Sequence, residues 1–131
     1  MMKISVFGNK DYTPDSIPLK IMPKLSAFFP AITFIAQDPN ELTLPTEKEW
    51  WIIDTVVGLK SVKLIEMDDL KKNLPDQVSM HSFDLGTHLF WISKLDKNLK
   101  IHIIGVPPEI SEDKAINGVG AILETIQKTQ Y

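Results

Sequence analysis

Four side chains in this sequence have the types needed for hydrolytic or metal chemistry: Asp11, Asp15, Asp54 and His81. An imidazole with two carboxylates supplies one borderline nitrogen and two anionic oxygens, a donor set that suits a divalent transition metal and leaves coordination positions open. Spacing alone does not single these residues out, because they lie far apart in the chain. An Asp at the end of a strand serves more often as a turn or helix cap than as a ligand. His81, close to a candidate N-cap at Ser79, also reads as a solvated first-turn residue. His88 and His102 read as helix-face and strand residues with no shared partner. No serine stands with a base and an orienting acid in a pattern that would activate it.

What positions these groups is an alternation of strand and helix. The central stretch is Trp50-Trp51-Ile52-Ile53-Asp54, an apolar run that reads as a strand buried on both faces and ending in a carboxylate. In an open parallel sheet, chemistry gathers beyond the carboxyl ends of the strands, which is where Asp54 falls. A first strand is expected over Lys3 to Phe7, closed by Gly8-Asn9. Ile17, Ile21 and Leu25 at a spacing of four predict a helix, with Pro18 in its first turn and Pro23 kinking or interrupting it. Further strands are expected at Ala31 to Ala36, Val62 to Ile65 and Lys100 to Ile104. Ser79 as N-cap predicts a helix running to about Leu95, with Leu85, His88, Leu89 and Ile92 along one face. From Glu112 a last helix turns Ala115, Val119, Ile122 and Ile126 inward, although Gly118 and Gly120 weaken its first half. The expectation is one α/β domain over residues 1–131, a three-layer fold with a mostly parallel five-stranded sheet and helices on both faces.

Composition excludes several classes. The 131 residues are 44% hydrophobic and 24% charged, enough for one domain with a real core. The net charge of -3 comes from 14 lysines and 17 acids with no arginine, and arginine is the preferred reader of phosphates and bases, so nucleic acid is not an expected partner. The absence of cysteine removes disulfides, thiolate metal sites and cysteine nucleophiles. No apolar run approaches the ~20 residues that span a bilayer, and no signal-peptide pattern opens the chain, so a soluble, cytoplasmic protein without a membrane partner is expected.

Receiver domains of response regulators also end a third strand in Asp, but they need an acidic pair after the first strand and a Lys ending the fifth. Gly8-Asn9 and Gly105-Val106-Pro107 occupy those places. The chain instead resembles the hydrogenase maturation proteases, endopeptidases that trim the C-terminal extension of the nickel-iron hydrogenase large subunit. Four places carry the resemblance over nearly the whole chain. Gly8-Asn9, followed by an acid at the eighth position of that motif and an amphipathic helix, is similar to the family's opening loop and selects Asp15 over Asp11. Ile52-Ile53-Asp54-Thr55-Val56-Val57-Gly58 resembles its second motif. Ser79-Met80-His81-Ser82-Phe83-Asp84-Leu85 resembles its histidine motif, and Ile103-Ile104-Gly105-Val106-Pro107-Pro108-Glu109 its closing strand and turn. The chain departs from the family in Thr13-Pro14-Asp15-Ser16, in Pro18 and in Gln37-Asp38-Pro39-Asn40.

The resemblance implies that Asp15, Asp54 and His81 are at once the metal-binding and the catalytic residues, with Gly8, Asn9 and Gly58 on the substrate-binding side. The implied ion is nickel carried by the substrate, and zinc or cadmium would suit the same donors. The implied partner is the hydrogenase large-subunit precursor. Asp11 and Asp84 remain alternative ligands. A non-catalytic α/β module that binds a metal-bearing partner protein is the second reading.

Overall fold

The computed structural model describes residues 2–8, 16–38, 44–46, 48–66, 77–79, 82–83 and 85–129. Eight elements follow in the order β1 (Met2–Phe7), α1 (Ile17–Phe28), β2 (Ile32–Gln37), β3 (Glu49–Thr55), β4 (Lys63–Glu66), α2 (Gly86–Leu95), β5 (Lys100–Val106) and α3 (Glu112–Thr129). The strands form one sheet in the order β2-β1-β3-β5-β4. β1, β2, β3 and β5 pair in parallel, and β4 closes the edge antiparallel to β5. The architecture is therefore α/β with a mixed, mostly parallel sheet.

Successive strand residues point to opposite sides of a sheet, and here they divide between two core clusters. Ile4, Val6, Ile53, Ile104 and Val106 pack with Ile21 and Leu25 of α1 and with Val119 and Leu123 of α3. Phe7, Trp50, Ile52, Ile101 and Ile103 pack with Leu89 and Ile92 of α2. Double-sided burial explains why β3 reads as an unbroken apolar run: Ile52 and Ile53 are both fully buried.

Three local expectations are revised. α1 runs unbroken through Pro23. An interior proline costs about 3 kcal/mol, whereas burying Ile21 and Leu25 completely contributes roughly 1.5–3 kcal/mol each, so packing outweighs the lost hydrogen bond. β5 does not stop at Ile104 but continues through Gly105, which pairs with Asp54, to Val106. Along α3 it is Leu123 rather than Ile122 that is fully buried, beside Ala115, Val119 and Ile126. Among the described residues no helix is long and apolar enough to cross a membrane.

Candidate functional site

β1 and β3 lie side by side, yet the chain leaves β1 toward β2 on one side and leaves β3 toward β4 and β5 on the other. Diverging connections from adjacent parallel strands open a crevice beyond their carboxyl ends, where α/β proteins place their ligands. Pairing between β1 and β3 ends at Val6↔Ile53. Beyond it Phe7 stays paired with Gln37 of β2 and Asp54-Thr55 with Gly105-Val106 of β5, so the two strand ends part at that switch point. Of the expected site residues, Gly8, Asp54 and Gly58 are described. Asn9, Asp15 and His81 lie outside the described residues, as do the alternative ligands Asp11 and Asp84.

Asp54 is fully buried, and its Oδ2 accepts the backbone N–H of Leu85 at 3.2 Å. Leu85 occupies the N-cap position of α2 and has no side chain able to cap it. The side chain thus satisfies a backbone donor at the helix entrance. Asp54 is a cap supplied from another element.

The expected start of α2 at Ser79 is corrected: the helix begins at Gly86. Ser82 donates its N–H to the Ser79 carbonyl at 2.9 Å, and Ser79 donates its N–H to Ser82 Oγ at 3.0 Å, which closes a local turn. The Ser82 carbonyl then accepts the N–H of Val57 at 2.9 Å, and Phe83 forms an antiparallel bridge with Val56. Backbone groups that a helix would have used are committed to the extension of β3. Gly58 completes this lacing with φ +99°, and a Cβ there would lie 2.4 Å from the Gln77 carbonyl oxygen. Val56 itself donates to the Val106 carbonyl at 2.9 Å, so the Asp54–Gly58 stretch is held from two sides.

Next to Asp54, Thr55 is almost completely buried, and its Oγ1 has no hydrogen-bond partner among the described residues. Below the crevice, Ser5 Oγ accepts the indole N–H of Trp50 and the amide of Gln37, each at 3.0 Å, which ties β1, β2 and β3 together.

The other histidines part ways. His88, expected along one helix face with Leu85, Leu89 and Ile92, is exposed on α2, whereas Leu85, Leu89 and Ile92 are buried. His102 does have partners, at the end of the sheet away from the crevice. Its Nε2 stands 3.1 Å from Glu49, its Nδ1 bonds Glu66, and its ring stacks on Trp51 at 4.0 Å. Glu66 and His102 are direct partners in the β4–β5 pairing, a relation that only the strand order reveals. Among the described residues no group of three or more His, Asp or Glu is placed to hold a metal ion.

No family model, curated protein or solved structure matches the chain at a significant level.

Proposed function

We propose that this chain is an endopeptidase that removes the C-terminal extension of a nickel-iron hydrogenase large-subunit precursor once nickel is in place. One observation carries the reading, namely what surrounds the switch point. Gly8 directly follows β1, and Asp54 is the penultimate residue of the adjacent β3. Ser16, next in sequence to Asp15, opens α1, its carbonyl accepting the N–H of Lys20 at 3.0 Å. Ser82, next in sequence to His81, is bonded to Val57, three residues beyond Asp54. These neighbours support a common site for Asp15, Asp54 and His81, in line with the motif resemblance. The partition of strand side chains between α1 with α3 and α2 likewise supports the three-layer arrangement with helices on both faces.

In this reading the ion arrives with the precursor, and two carboxylates with an imidazole suit a borderline divalent cation. The ion supplies Lewis-acid polarisation of the scissile carbonyl, or a more acidic water. Hydrolysis adds water across the C–N bond, with the hydroxyl going to the carbonyl carbon and a proton to the leaving amine. Asp15 or Asp54 can take the proton released by the attacking water. A donor set completed only when the substrate presents its metal makes nickel insertion a checkpoint for cutting.

One observation favours the alternative, a non-catalytic module that binds a metal-bearing partner: Asp54 is fully buried and already accepts from Leu85. The decisive experiment incubates purified protein with nickel-loaded and nickel-free precursor and follows release of the C-terminal peptide. Release from the loaded precursor alone, lost in Asp54→Asn and His81→Ala, is the expected result. Binding without release by the wild type would establish the non-catalytic module instead.

A further inference from the structure

An open groove of about 990 Å³ lies at the same carboxyl edge, between the turn that follows β3 and the turn that joins β5 to α3. Its walls include Val57, Leu59, Pro107 and Ile110, and Lys60 and Lys114 stand on its rim. The size is at the upper end of the roughly 300–1,000 Å³ typical of sites that enclose a drug-sized ligand, which suits a short stretch of extended peptide. The groove begins at Val57-Gly58, the stretch that Ser82 and Gln77 hold against the end of β3, three residues beyond Asp54 in the chain.

Charge sets its preference. The chain as a whole carries -3, yet this groove presents two ammonium groups against the single carboxylate of Glu109. Both lysines are exposed, and neither makes an ion pair among the described residues. The first turn of α3 holds Glu112 and Asp113, which offset the positive end of its dipole, so the preference rests on Lys60 and Lys114. Apolar walls with a cationic rim fit an apolar peptide segment that ends in a carboxylate.

We infer that the groove bounded by Val57–Val62 and Pro107–Ser111 receives the part of the substrate beyond the scissile bond, with Lys60 and Lys114 facing its terminal carboxylate. The assignment rests on the peptidase reading for the identity of the occupant. Because the extension is the end of the substrate chain, it brings that carboxylate with it.

The test uses the full chain and two probes: a fluorescein-labelled hexapeptide of alternating Ala and Val with a free carboxyl terminus, and its C-terminal amide. Fluorescence anisotropy should show the free acid binding about fivefold or more tightly than the amide, an advantage that fades in 1 M salt. The K60E/K114E double variant should lose that advantage while keeping wild-type affinity for the amide and a wild-type melting curve, since both side chains are exposed. Equal affinities for acid and amide in the wild type, or no effect of the double variant, would overturn the assignment. The assay needs neither nickel nor cutting, so it separates the two claims. If the groove selects the free acid but loaded precursor is never cut, the peptidase reading falls and the site stands. If precursor is cut equally by wild type and K60E/K114E while acid and amide bind alike, the groove assignment falls alone.

Discussion

The carboxylate of Asp54, near the end of β3, holds the backbone N–H of Leu85 at the entrance of α2. One side chain therefore has a structural duty and, in the proposed reading, a catalytic one. The two separate experimentally. Asp54→Ala leaves the Leu85 N–H without its acceptor and should cost about 2–3 kcal/mol in chemical denaturation, whereas Asp54→Asn keeps an acceptor oxygen and should cost about 1 kcal/mol. Removing a general base or ligand should lower cleavage of nickel-loaded precursor by about a hundredfold or more in the still-folded Asn variant. Wild-type cleavage by that variant would leave Asp54 with its capping role alone.

Gly58 stands at φ +99° with the Gln77 carbonyl in the space a side chain would enter. A left-handed backbone costs a non-glycine residue about 1–3 kcal/mol, and the 2.4 Å approach to a carbonyl oxygen adds to it, because backbone cannot step aside as a flexible side chain can. Gly58→Ala should destabilise by more than about 2 kcal/mol. It should also loosen the contact between the β3 extension and the segment through Ser82, seen as faster amide exchange at Val57. An unchanged denaturation midpoint would show that the turn adapts freely.

The central strand was legible because both of its faces are buried, which leaves Trp50 to Ile53 with no polar interruption. Its terminal carboxylate was legible for the same reason: Asp54 is the first polar residue after the run. The start of α2 was not, because the serine pattern at Ser79 is shared by helix caps and local turns. The choice was made by Val56 and Val57, more than twenty residues earlier, which take up the backbone of Ser82 and Phe83. The antiparallel direction of β4 was equally hidden, since a strand as short as Lys63-Leu64-Ile65-Glu66 carries no sense of direction in its side-chain pattern. With it went the meeting of Glu49, His102 and Glu66.

Thr55 offers a test at the edge of the crevice. Its buried hydroxyl finds no partner among the described residues, and replacing an unsatisfied hydroxyl by a methyl group of the same shape is neutral or stabilising. Thr55→Val should therefore leave the melting temperature unchanged or raise it slightly. A loss of more than about 1 kcal/mol would mean that the hydroxyl is bonded in the folded chain.

Gly118 and Gly120 lie two residues apart in α3 and should respond to alanine with opposite signs. In an open helix interior each exchange would gain about 1 kcal/mol from backbone entropy. At Gly120 the nearest atoms to an added Cβ belong to the Phe29 ring at 3.8 Å, an ordinary contact, so Gly120→Ala should stabilise by about 0.5–1 kcal/mol. At Gly118 the added atom would lie 2.7 Å from Cβ of Val62, at the root of a side chain rather than its flexible tip. Overpacking of that kind costs about 1–3 kcal/mol, which outweighs the propensity gain, so Gly118→Ala should lower stability. Paired thermal melts of the two variants read both signs directly. A stabilised Gly118→Ala would mean that α3 is not seated against Val62, and the groove wall that α3 forms there would have to be redrawn with it.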